Sequence, residues 1–148
     1  MFNRELMISY NSESEMSEHF CELLDMEQTP WGKVHYSTEF FFIRGRTDII
    51  ASDFAGNLYA FELKIQNWKK ALYQAYRNTS FANCSYVILP KYTAEKAIRY
   101  IHEFKKRSVG LCFIEDDKII ISCPAIHKTP IMQWLTDKAK IYIYGYNI

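Results

Sequence analysis

No stretch of this sequence stays apolar for the ~18 residues that a membrane-crossing helix requires, so no membrane partner is expected. The first fifteen residues are polar and acidic, without the basic lead and apolar run of a secretory signal. Cysteine never occurs as Cys-x-x-Cys. Cys21, Cys84, Cys112 and Cys123 stand singly, mostly beside apolar residues. That pattern argues against zinc and for small hydrophobic side chains in a reducing cytoplasm. The four histidines show no His-x-x-x-His spacing, so neither a histidine metal site nor a histidine-based triad is expected. Gly-x-Gly-x-x-Gly and the P-loop pattern are both missing, which excludes a Rossmann reading and a Walker phosphate cradle. Internal repeats and low-complexity segments are missing too.

What is present fits one globular domain spanning residues 1–148, with 49% hydrophobic and 24% charged residues. The formal net charge of +1 conceals a polarity along the chain. Residues 1–30 carry seven acids against one base, whereas residues 62–107 carry ten Lys/Arg against three Glu. A basic middle points to an anionic partner.

Ser12 and Glu15 have capping-box spacing, and Met16, Phe20, Leu23 and Leu24 recur at helical intervals, so a helix is expected up to Thr29-Pro30. Val34–Ile43, Thr47–Ser52 and Leu58–Ile65 read as strands, separated by Gly45 and by a turn at Asp53–Asn57. Asn67 caps a helix over Trp68–Ser80, and Tyr86–Leu89 reads as a strand buried on both faces. A helix capped by Thr93 is expected to run to about Arg107, followed by a hairpin of Val109–Ile114 and Lys118–Ser122. A short helix over Ile131–Ala139 and a last strand over Ile141–Tyr146 complete the reading. This order predicts an α/β fold, a mixed sheet with helices on both faces.

Chemistry concentrates at the second and third strands. Strand alternation puts Glu62 and Lys64 on the face of Leu58 and Ala60, and a hairpin register can bring Asp48 beside Glu62. Two carboxylates suit a hard cation such as Mg²⁺, and a nearby ammonium suits a phosphodiester under attack by water. A carboxylate-x-Lys triplet is weak evidence alone, since residues 62–64, 103–105 and 116–118 all supply one. Residues 103–105 fall on a helix, where i and i+2 diverge, and residues 116–118 fall at a hairpin tip. Residues 62–64 alone lie in a strand that follows an Asp on its neighbour.

The succession Gly45-Arg46-Thr47-Asp48-Ile49-Ile50, then Phe61-Glu62-Leu63-Lys64, then a helix with Gln74-Ala75, then Tyr86–Pro90, resembles the PD-(D/E)XK nuclease superfamily over about residues 12–106. The resemblance implies a restriction-endonuclease-like fold with its core at about residues 12–107, to which residues 108–148 add a hairpin, a helix and a strand. It implies Asp48 and Glu62 as metal ligands, with the Leu63 carbonyl as a third. Lys64 would be the catalytic lysine and Gln74 a polar residue offered by the following helix. Thr47 stands where the family has its proline. Many members place a Glu on the first helix. Glu13 is in phase with Met16, Phe20 and Leu23 and is the candidate for that further metal ligand, whereas Glu15, Glu18 and Glu22 fall on the solvent side.

The expected activity is Mg²⁺-dependent hydrolysis of DNA, with Mn²⁺ able to substitute and RNA left open as substrate. The alternative is a non-catalytic nucleic-acid-binding or protein-assembly module on the same fold. Lys70, Gln74 and Arg77 share one helical stripe, readable as a phosphate-tracking edge or as a solvated face. Arg46 can contact phosphate or pair with Glu39. A homodimer is compatible with the reading, because cutting both strands of a duplex takes two sites related by a two-fold axis.

Overall fold

The computed structural model describes residues 10–43 and 45–145. Helix α1 (Glu13–Asp25) starts where its capping chemistry demands. The Ser12 Oγ accepts from the Glu15 amide at 3.1 Å, and Glu15 Oε1 accepts from the Asn11 amide at 3.2 Å. The box thus closes one residue upstream of the cap. The helix ends ahead of Thr29-Pro30, because Glu27 turns left-handed (φ 57°) and the Glu27 and Gln28 amides fold back onto Leu24 and Leu23.

Six strands follow: β1 (Val34–Phe42), β2 (Gly45–Asp53), β3 (Leu58–Leu63), β4 (Cys84–Pro90), β5 (Val109–Glu115) and β6 (Lys118–Cys123). They form a mixed sheet in sequence order, with β3–β4 and β4–β5 parallel and the other neighbours antiparallel. Each parallel step needs a helical crossover. Helix α2 (Trp68–Asn78) supplies the first, and α3 (Lys91–Ala97), a 3₁₀ turn (Ile98–Tyr100) and α4 (Ile101–Lys105) supply the second.

The expected single helix from Thr93 to Arg107 is therefore broken, and it begins at Lys91 with Pro90 at its N-cap. Thr93 is buried and donates its hydroxyl to the Ile65 carbonyl instead of capping. A second correction concerns the C-terminus. No strand forms over residues 141–145. Helix α5 runs unbroken over Gln133–Tyr144 and is closed by left-handed Gly145, while Tyr146 lies outside the described residues. Leu135, Ala139 and Ile143, four residues apart, pack against Phe40, Ile50 and Leu58, and Tyr142 Oη donates to the Thr38 carbonyl at 3.0 Å.

Alternation along β2 and β3 builds two cores. Ile49, Ala51, Tyr59, Phe61 and Leu63 face α1, whose Phe20 meets the Phe61 ring at 5.1 Å between centroids. Burying a side chain of that size stabilises by roughly 1.5–3 kcal/mol. Ile50, Leu58 and Ala60 face the other way with Val87 and Leu89, under α2 to α5. Helices therefore cover both faces of the sheet, as expected for this α/β class. The charge polarity of the sequence becomes spatial: acidic α1 lies on one face and the basic helices α2 and α3 on the other. Among the described residues, no helix is long and apolar enough to cross a membrane.

Candidate functional site

At the C-terminal end of β3 the ladder to β2 finishes at Ile49↔Phe61. Beyond that pair a side chain replaces the backbone partner, as Asp48 Oδ2 accepts from the Leu63 amide at 2.9 Å. An N–H and C=O of one strand residue point to the same neighbour, so the Leu63 carbonyl lies on the edge that carries Asp48. The Asp48 Oδ1 accepts from Arg46 Nη2 at 3.0 Å. Arg46 thus pairs with Asp48 rather than with Glu39. Two residues apart on one strand, Arg46 and Asp48 share a face, and the shorter reach wins.

Glu62 sits beside Asp48 and is only 1% exposed. Its Oε2 accepts from Asn78 Nδ2 at 2.7 Å, and Asn78 Oδ1 in turn accepts from the Thr47 hydroxyl at 2.8 Å. Arg77 Nη2 lies 4.0 Å from the same Glu62 oxygen. Burial first, and the Asp48 charge second, push the Glu62 carboxyl up to about 8. The Asn78 bond and the Arg77 charge oppose that rise without cancelling it. The site thus favours the protonated form of Glu62.

Lys64 departs from the expected alternation, since β3 ends at Leu63 and not at Ile65. Its amide still donates to the Ile88 carbonyl at 3.2 Å. Its ammonium pairs with Glu13 on α1 at 3.5 Å, and Glu13 Oε2 accepts from the Ile65 amide at 3.4 Å. The helical phase of Glu13 therefore carries it to the loop that holds Lys64.

On α2 the expected polar stripe divides. Lys70 is exposed, Gln74 is half-buried with Oε1 unpartnered, and Arg77 is drawn inward. Arg77 Nη2 donates to the Arg46 carbonyl at 2.9 Å, and its guanidinium lies 5.2 Å from the centre of the Phe42 ring. Gly45 makes this approach possible, because a Cβ there would stand 2.4 Å from Arg77 Nη1. Arg77 is thus a partner of Glu62 and of the β2 backbone, not part of a solvated stripe.

Sequence reasoning missed Asn78 and Thr47, the two buried groups that orient Glu62. A signal existed: Asn78 follows Ala71 and Ala75 by seven and three residues, on the inner face of α2, where an amide demands a polar partner.

A cavity of about 740 Å³ opens between α1 and the start of β2, with Glu13, Glu18, Glu22, Asp25, Glu39 and Asp48 among its lining and Arg46 as its cation. Glu18 and Glu22 are solvent-exposed as expected, and they also line this cleft. Among the described residues no three carboxylate, imidazole or thiolate side chains cluster as a metal site. A cation at Asp48 would have two carboxylates and the Leu63 carbonyl as protein donors. That hard-oxygen set suits Mg²⁺, which keeps several waters. The raised Glu62 carboxyl is compatible with this, because a bound cation would relieve the Asp48 repulsion that adds to the larger effect of burial.

No family model and no curated protein match this chain. A solved structure of a protein of unknown function from Silicibacter pomeroyi is similar, with a TM-score of 0.67 and 11% identity. The similarity covers 93% of this chain and 87% of that one. At such identity the likeness bears on the fold alone, and it agrees with the mixed α/β architecture.

Proposed function

We propose that this protein is a metal-dependent nuclease of the PD-(D/E)XK type, acting on DNA and using water as nucleophile. The observation that carries the reading is the pairing of Asp48, near the start of β2, with Glu62 and the Leu63 amide at the end of β3, two residues before Lys64. Asp48, Glu62 and the Leu63 carbonyl would hold Mg²⁺ or Mn²⁺, which supplies charge neutralisation at the phosphoryl oxygens and lowers the pKa of a bound water.

The chain's own groups have defined tasks. Arg46 Nη2 must release Asp48 Oδ1, and its half-exposed guanidinium is then available to a phosphate oxygen. Glu62 must give up its proton before it can act as a ligand, while Asn78 keeps Oε2 oriented throughout. Lys64 Nζ, steadied by Glu13, would donate a hydrogen bond to the attacked phosphate or orient the water. Among the described residues the histidines pair with Tyr10, Asp117, Asn57 and Glu103 and not with a cysteine or serine, so water is the nucleophile in this reading. The free thiols suit a reducing cytoplasm, and a two-fold homodimer would serve duplex cutting.

The test is cleavage of single-stranded, plasmid and branched DNA, and of RNA, with Mg²⁺ or Mn²⁺. Lys64→Ala and Asp48→Asn are expected to lower the rate by ~10²-fold or more. Wild type and Lys64→Ala giving equal background products on every substrate would end the nuclease reading. A second reading, a nucleic-acid-binding module without catalysis, is favoured by the Arg46–Asp48 ion pair, which already occupies the carboxylate oxygen that a metal would use. It predicts binding in EDTA that is unchanged by added metal.

A further inference from the structure

We propose that the outer surface of α2 and α3 is a track for single-stranded nucleic acid that leads to the Lys64 end of the site. This deepens the nuclease reading and rests on it for the direction in which the strand runs.

Between residues 68 and 100 there are six Lys/Arg and one acid, Glu95. Two helical stripes expose flat rings between these cations. On α2, Lys69 and Tyr73 are four residues apart, and Tyr73 is 71% exposed. On α3 and its 3₁₀ extension, Tyr92, Lys96 and Tyr100 recur every four residues, with Tyr92 67% exposed. The stripes meet where Lys69 Nζ lies 5.8 Å from the Trp68 ring centre and 6.0 Å from that of Tyr100. Lys96 Nζ lies 4.5 Å from the Tyr92 ring centre.

Both stripes begin beside the site. Asn67 caps α2 three residues after Lys64, and Thr93 hydrogen-bonds the Ile65 carbonyl, so the first turn of α3 is fastened one residue from Lys64. The occupant follows from the chemistry. Exposed tyrosines offer stacking faces that paired bases, already stacked on each other, do not need, while the ammonium groups match a phosphate backbone. On the opposite side of the sheet, the acidic outer surface of α1 would repel such a backbone, which leaves the α2/α3 side as the approach to the Asp48 end of the cleft.

The experiment measures fluorescence anisotropy of a labelled oligothymidylate of about fifteen nucleotides, long enough for one such site, and of a duplex of equal length. Both are titrated in EDTA at several salt concentrations, with polyglutamate as a further probe. Wild type is expected to bind the single strand at least ~10-fold more tightly than the duplex. Tyr73→Ala with Tyr92→Ala should weaken single-strand binding by ~10-fold or more, with little change in salt dependence. Lys69→Ala with Lys70→Ala should lower the slope of log K against log [salt] by about 1.4, from ~0.7 per phosphate contact.

All four side chains are exposed, and circular dichroism checks that the variants fold. Equal affinity for duplex, tyrosine variants that bind like wild type, or polyglutamate binding in place of the oligonucleotide would each overturn the proposal. The measurement is independent of cleavage. Tyrosine-dependent binding by a protein that cuts nothing keeps the track and removes the nuclease. Cutting of the same oligonucleotide unimpaired in the tyrosine variants keeps the nuclease and removes the track.

Discussion

Replacing Asn78 with alanine tests the arrangement that holds Glu62 in place. Asn78 is fully buried and makes two bonds, one to Glu62 and one from Thr47, whose own exposures are 1% and 0%. Alanine leaves both groups buried without that partner. Each such loss costs about 1–3 kcal/mol. Arg77 and Asp48 remain near Glu62, so most of the damage falls on the Thr47 hydroxyl, and a total of about 3 kcal/mol is expected. Against a domain stability of about 5–15 kcal/mol, that is a large fraction.

Urea unfolding followed by the fluorescence of core-packed Trp31 should show the midpoint falling by about 2 M, for a slope near 1.5 kcal/mol per molar. Thr47→Val supplies the second arm of a cycle. In wild type it strands the Asn78 carbonyl oxygen, whereas in the Asn78→Ala background it removes an orphaned hydroxyl, so the two changes should be strongly non-additive. A loss under about 0.5 kcal/mol, or simple additivity, would refute the Thr47–Asn78–Glu62 chain as a structural unit.

Three further outcomes are expected. Glu62 titrates near 8 when folded and near 4.5 when unfolded, so the folded state binds more protons between those values. Its contribution to stability is therefore full below pH 4.5, declines as pH rises through that window and levels off above about 8. The slope approaches ~1.4 kcal/mol per pH unit, and Glu62→Gln should abolish it in urea titrations from pH 5 to 9. Gly110→Ala should lower the thermal midpoint by several degrees. The new Cβ would stand 2.4 Å from Tyr86 Cε1 and 2.6 Å from the Ala125 backbone nitrogen, an overpacking cost of about 1–3 kcal/mol. Ser12→Ala should cost about 1 kcal/mol in the same melts, through loss of the bond to the Glu15 amide.

Legibility in the sequence followed the range of the interaction. Alternation along residues 58–63 assigned Tyr59 and Phe61 to one core and Leu58, Ala60 and Glu62 to the other, because side-chain direction in a strand is a local property. The phase of Glu13 was readable for the same reason, since the apolar residues of α1 define its inner face. Ile141–Tyr144 misled because alternation of isoleucine and tyrosine imitates a strand. That segment is helical since Leu135, Ala139 and Ile143 find a shared apolar surface on β1 and β2, which no local pattern contains.

At the site, the residue types were local information and their pairings were not. Sequence by itself determined the order of the six strands, the acids at 48 and 62 on adjoining strands, and the separation of acidic and basic segments. Tertiary structure decided that Arg46 neutralises Asp48, that Lys64 turns to Glu13, and that Arg77 lies over Gly45 toward Glu62. The reason is physical. Long charged side chains choose among partners by a few ångströms of reach and by the degree of desolvation, and both are set only when distant segments pack together.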